Sequence, residues 1–111
     1  MKVHILSKNL TATVREFNYF LEFIGINKKI NEEEVKEIID TSFYSYNRIY
    51  RMIQLISIYF HDPLFVSFVY LKVYLKKQDY EIKQILKINS EKLNELRKKY
   101  FKKDYRIIFK G

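Results

Sequence analysis

Cysteine and tryptophan are absent from this 111-residue chain, proline occurs once and glycine twice. Without Cys there is no disulfide framework, no thiolate metal site and no cysteine nucleophile. Two histidines, His4 and His61, are too few for a multi-His metal centre within one chain. Scarce Gly and Pro disfavour a many-stranded sandwich or barrel, which needs frequent turns. Gly-rich phosphate loops and dinucleotide fingerprints are also missing. Long apolar runs are lacking too: the most apolar stretch, Met52 to Leu71, is broken by Gln54, His61, Asp62 and Pro63. A membrane span needs roughly 20 apolar residues with few polar breaks, so this stretch reads as buried core. Met1 to Leu10 has no apolar centre of signal-peptide length. The expectation is a soluble, cytoplasmic protein without a membrane partner.

What is present is a chain of 48% hydrophobic residues, enough to bury one core and too short for two domains. A single domain over residues 1–111 is expected. Formal charge is +8, and it is unevenly placed. Residues 1–71 carry eight basic and eight acidic side chains, whereas residues 72–111 carry thirteen basic and five acidic ones. A basic third on a neutral body is the electrostatic outline of a polyanion-binding surface. The plain reading is a solvated face that keeps the protein soluble. A bias to Ile, Lys, Tyr, Glu and Asn without Cys suits a thermophilic archaeon or one of its viruses, whose proteins would work in the host cytoplasm.

Periodicity along the chain is mostly helical. Lys2–Leu6 and Tyr105–Phe109 are short β-like runs that could pair and close the domain. Thr11 or Thr13 can cap a first helix in which Phe17, Phe20, Leu21 and Ile24 share a face, and Gly25 stands where a C-terminal cap belongs. Asn31 with Glu34 resembles a capping box. The stripe from Val35 through Ile38, Ile39, Phe43 and Tyr46 to Tyr59 is too long for one ordinary helix, which predicts a break near residues 45–47. Asp62-Pro63 is a helix start, with Asp at the N-cap and Pro in the first turn. The helix after it, Leu64 to Lys76, is apolar nearly all round to Leu71 and so belongs at the centre of a bundle.

Residues 79–103 hold the densest signal. A helix over Asp79–Leu86, a tight connection through Lys87-Ile88-Asn89 and a last helix to about Lys103 place Ile82, Ile85, Leu86, Ile88, Leu93 and Leu96 for packing across a short turn. This is helix-turn-helix spacing. Outside lie Ser90, Glu91, Lys92, Asn94, Glu95, Arg97, Lys98, Lys99, Lys102 and Lys103, six of them Lys or Arg. Ser90, Lys92, Asn94 and Arg97 are of types that read base edges, and Lys98, Lys99, Lys102 and Lys103 suit phosphates. Other chemistry is thin. Glu32, Glu33, Glu34 and Glu37 favour a helix N-terminus more than a metal or an acid–base pair. His61 and Asp62 are neighbours that do not point at one another. No enzyme, metal or cofactor is expected.

Residues 63–103 resemble the second half of a cyclin-like repeat in the archaeal transcription initiation factor B family. Pro63-Leu64-Phe65-Val66, the buried run to Leu75, Glu81-Ile82, Ile85, Ile88 and Leu93 fall in matching order. Val14 to Ile26 followed by Asn31 to Tyr46 is similar to that repeat's first two helices. The chain departs from the family in its Phe and Tyr on the central helix, in Leu86-Lys87 where Ala-Gly is usual, and in lacking a zinc ribbon. The resemblance implies an all-α fold of five or six helices around Leu64–Leu75, ending in a helix-turn-helix. It also implies duplex DNA contact through Ser90, Lys92, Asn94 and Arg97, in transcription or its regulation, with the transcription machinery as a further partner. A homodimer through Ile107, Ile108 and Phe109 would suit two half-sites. The alternative is a helical interaction module, or a viral inhibitor, whose basic face docks on an acidic protein such as a polymerase or defence complex.

Overall fold

A computed structural model describes residues 2–38, 47–100 and 105–110, and its described residues form seven α-helices. They are α1 (Lys2–Phe23), α2 (Glu32–Ile38), α3 (Arg48–Tyr59), α4 (Pro63–Val69), α5 (Asp79–Leu86), α6 (Ser90–Tyr100) and α7 (Tyr105–Ile108). A π-helical turn, Tyr70–Tyr74, extends α4. The mostly helical fold agrees with the periodicity. Ile39, Phe43 and Tyr46 lie outside the described residues.

The first helix departs from expectation. It starts at Lys2, so Thr11 and Thr13 lie inside it and do not cap it. Residues 2–10 contain no Gly or Pro to stop a helix, and β preference is too weak a signal to decide between helix and strand. Both threonines bond across to other helices. Thr11 Oγ1 donates to Glu32 Oε1 at 2.9 Å, and buried Thr13 accepts from Arg51 Nε at 3.0 Å. The terminal β pair is therefore corrected, because Lys2–Leu6 is helical. The C-terminal run instead makes one turn of helix and an antiparallel bridge from Phe109 to Phe60. His61 N donates to Ile108 O, and Lys110 N donates to Tyr59 O. Ile108 and Phe109 pack on the core, which leaves Ile107, 77% exposed, as the outward part of the expected dimer surface.

The boundary signals hold at several other points. Gly25 adopts φ +84°, and Ile26 N→Leu21 O with Gly25 N→Glu22 O forms a Schellman end. Asn31 Oδ1 accepts from Glu34 N at 2.7 Å to open α2. Asn47, at the expected break, caps α3 by accepting from Ile49 N and Tyr50 N. Pro63 occupies the first turn of α4 as expected, but the Asp62 side chain does not cap; it pairs with Lys99.

Burial places α4 at the centre. Phe65, Val66, Ser67, Phe68 and Val69 are all buried, and α4 packs against α3, α5 and α6 while its π-turn packs on α1 and α5. Phe17, Phe20 and Leu21 of α1, with Met52, Leu55 and Ile56 of α3, complete that core. Within the π-turn, Tyr70 and Tyr74 stack at 5.6 Å, and Phe20 meets both edge-on at 5.4 and 5.5 Å. Glu16, only 13% exposed, ties this corner together. It accepts from Arg48 Nε and Nη2 at 2.9 and 2.8 Å and from the Tyr70 hydroxyl at 2.7 Å.

Candidate nucleic-acid interface

The α5–α6 pair is built as its apolar spacing requires. Ile82, Leu93 and Leu96 are buried, and Ile85, Leu86 and Ile88 are partly buried against the same core. Gln78 N donates to Glu81 Oε1 at 3.3 Å at the start of α5. The connection works without glycine. Lys87 itself takes the left-handed conformation (φ 56°, ψ 49°), and Ile88 N returns to Lys83 O at 3.1 Å. A left-handed non-glycine residue costs about 1 kcal/mol, offset here by satisfied helix-end carbonyls and by the packing of Ile88. Asn89 then caps α6, its Oδ1 accepting from Lys92 N at 2.9 Å.

Each expected reader of base edges has a partner in its own chain. Ser90 accepts from Lys83 Nζ at 3.1 Å, and Lys92 pairs with Glu95 at 3.2 Å. Arg97 donates through Nη1 to Asn94 Oδ1 at 2.9 Å and through Nη2 to Asp79 Oδ2 at 2.7 Å. Among the expected phosphate contacts, Lys99 pairs with Asp62 and stands 5.3 Å over the Phe65 ring. Lys98 is exposed and has no bonded partner among the described residues, as is true of Lys87 in the turn. Lys102 and Lys103 lie outside the described residues.

Asp79 is the acid that organises this surface. Lys72 Nζ donates to its Oδ1 at 2.8 Å while Arg97 holds Oδ2. The hydrogen bond from Lys72, helped by that from Arg97, holds the carboxyl below its ordinary range despite some desolvation. A cleft of about 410 Å³ opens beside it, lined by Phe68, Lys72, Val73, Lys76, Arg97 and Tyr100. In the sequence Lys72 and Lys76 stand only as the polar end of the helix from Leu64 to Lys76. Their convergence with Arg97 comes from α6 packing against α4, which the π-turn continues. The signal for it in sequence was no more than the onset of positive charge at Lys72.

Two other hollows open on the surface. One of about 280 Å³ between α3, α4 and α5 is largely apolar, with Tyr50, Ile53, Leu64 and Ile85 among its walls. Another of about 540 Å³ lies beside Gly25, where Asn18 clamps Ile30 by donating to its carbonyl and accepting from its amide. Among the described residues no three His, Cys, Asp or Glu side chains are grouped to hold a metal, and no helix is long and apolar enough to cross a membrane. No family model, curated protein or solved structure matches the chain.

Proposed function

We propose that the protein binds duplex DNA through the outer face of α5, its turn and α6, holding the phosphate backbone, in transcription or its regulation. The observation that supports this most directly is that the entire +8 lies in residues 72–111, where Lys87 and Lys98 stand exposed with no carboxylate bonded to them among the described residues. Phosphate contacts give affinity and little sequence information. Base readout would require Arg97 to leave Asp79 and Asn94, so the reading favours sequence-tolerant binding. The link to transcription rests on the resemblance of residues 63–103 to the cyclin-like repeat.

Fluorescence anisotropy of a labelled random duplex, titrated at several salt concentrations, tests the proposal. A log–log slope near −4 is expected for about five neutralised phosphates. Lys98→Glu should weaken binding about fivefold and flatten the slope by about 1, uniformly across sequences. No binding at low salt ends the duplex reading. The second reading, docking on an acidic protein, draws on the in-chain pairing of Ser90, Lys92, Asn94 and Arg97. Binding to heparin without binding to duplex would favour it.

A further inference from the structure

The cleft between the π-turn and α6 combines features that the duplex reading does not use. Its walls are mainly apolar, from half-buried Val73 and Tyr100 over the buried Phe68, and Lys72, Lys76 and Arg97 also line it. Asp79 neutralises part of that charge by bonding Lys72 and Arg97, but it is not among the cleft's lining residues. Lys76 is exposed and has no bonded partner among the described residues. It also sits at φ +59°, a conformation that glycine takes at far lower cost. The backbone there is unusual on both sides. Leu75 N reaches back to Tyr70 O to close the π-turn, and Lys77 N reaches Leu71 O at 2.8 Å. Wide turns of this kind are frequent at functional sites. Here one carries Lys72 and Val73 to the cleft and presents Lys76 at its end.

We propose that this cleft is a nucleoside-phosphate site, with the base against Val73 and Tyr100 and the phosphate held by Lys76 together with Lys72 and Arg97. Its volume of about 410 Å³ lies in the range of small-ligand sites. Aromatic and aliphatic walls take the face of any base, and clustered cations take the phosphate. The proposal does not rest on duplex binding, because stacking in a duplex hides the base face that these walls receive. An adjoining groove of about 400 Å³ shares Val73 and Tyr100 and runs to Phe23 and Ile24. The nucleoside phosphate can therefore be a free nucleotide or the terminal unit of a strand continuing along that groove.

Isothermal titration of the full chain with AMP, adenosine and inorganic phosphate tests the site. AMP should bind at least about tenfold tighter than either fragment, since only AMP engages both walls and cations. Lys76→Gly should weaken AMP about fivefold or more with no loss of melting temperature, because glycine accepts the φ at 76. Lys87→Gly makes the same change of charge and backbone outside the cleft and should leave AMP affinity within about twofold. A 5′-phosphorylated trinucleotide that binds tighter than AMP would assign the site to strand ends; equal affinity would assign it to free nucleotides. The proposal is overturned if inorganic phosphate binds as tightly as AMP, if both glycine variants lose affinity equally, or if millimolar AMP gives no heat. Amide shifts on adding AMP that avoid residues 72–76 and 97–100 in nitrogen-15 correlation spectra would also overturn it.

Discussion

Two carboxylates, one in the neutral body and one in the basic third, hold two partners each and do opposite work. Glu16 is 13% exposed and joins α1 to α3 and to the π-turn through Arg48 and Tyr70. Asp79 is 45% exposed and joins Lys72 to Arg97 beside an open cleft. A shielded carboxylate bonded to a buried hydroxyl contributes to stability, because its loss leaves that hydroxyl without an acceptor. A solvated one contributes little, because water and salt screen it. In the first 71 residues the charges balance, and several of them act as internal fasteners. In the last third Lys76, Lys87 and Lys98 stand exposed with no bonded partner among the described residues.

The largest effect expected is in the body. Glu16→Gln should cost about 2 kcal/mol, since it removes the charge from bonds to Arg48 and Tyr70. Urea denaturation should show this at pH 7, with duplex affinity of the folded variant unchanged. A loss below about 0.5 kcal/mol would mean that Glu16 is no fastener and that the contrast with Asp79 fails.

Alkaline pH probes the core through its tyrosines. Burial raises Tyr59, further raised by Glu34 nearby, to about 12; burial also raises Tyr70, Tyr74 and Tyr105. Their folded values exceed the unfolded value near 10, so the stability they contribute is fully present below about pH 10 and is lost as pH rises through the folded values. Tyr59 alone should account for a loss of about 2 kcal/mol by pH 12. Denaturation series at pH 8 to 12 for the parent and Tyr59→Phe should diverge above pH 10, with the parent falling faster. Parallel curves would show that Tyr59 titrates as if exposed.

Local signals in the sequence located much of this architecture. Gly25, Asn47, Pro63 and Asn89 each stand at a helix boundary because each solves a backbone problem within a few residues. The apolar spacing from Ile82 to Leu96 likewise places the α5–α6 pair. What was not legible depends on distant partners. Arg97 looks like a free reader on the helical wheel, yet its guanidinium meets an acid eighteen residues earlier in the chain. Asp62 looks like a cap until Lys99 arrives from α6. The start of α1 at Lys2 is hidden in the sequence for a related reason. Thr11 and Thr13 have the right side chains for capping, and only the packed structure turns them toward α2 and α3. The π-turn has no sequence rule of its own, so the convergence of Lys72, Lys76 and Arg97 could be seen only in three dimensions.

The smallest expected change in stability belongs to the other carboxylate and sharpens the comparison most. Asp79→Asn keeps an oxygen that can still accept from Lys72 or Arg97, and it removes a negative charge from the first turn of α5. Losing that favourable interaction with the helix dipole costs about 0.5 kcal/mol. The electrostatic consequence runs the other way for a ligand. Asp79 is ionised at neutral pH, held so by Lys72 and Arg97, and each of those cations is partly neutralised by it. Without the charge, both present a full positive charge at the cleft, and one approaching an anion no longer has to leave a carboxylate. Anion affinity should therefore rise severalfold while the melting temperature falls by only a few degrees. Isothermal titration with AMP and thermal melting on the same sample check both. If affinity falls instead, Asp79 positions Lys72 and Arg97 for the anion more than it competes with it, and the acid becomes part of the binding surface.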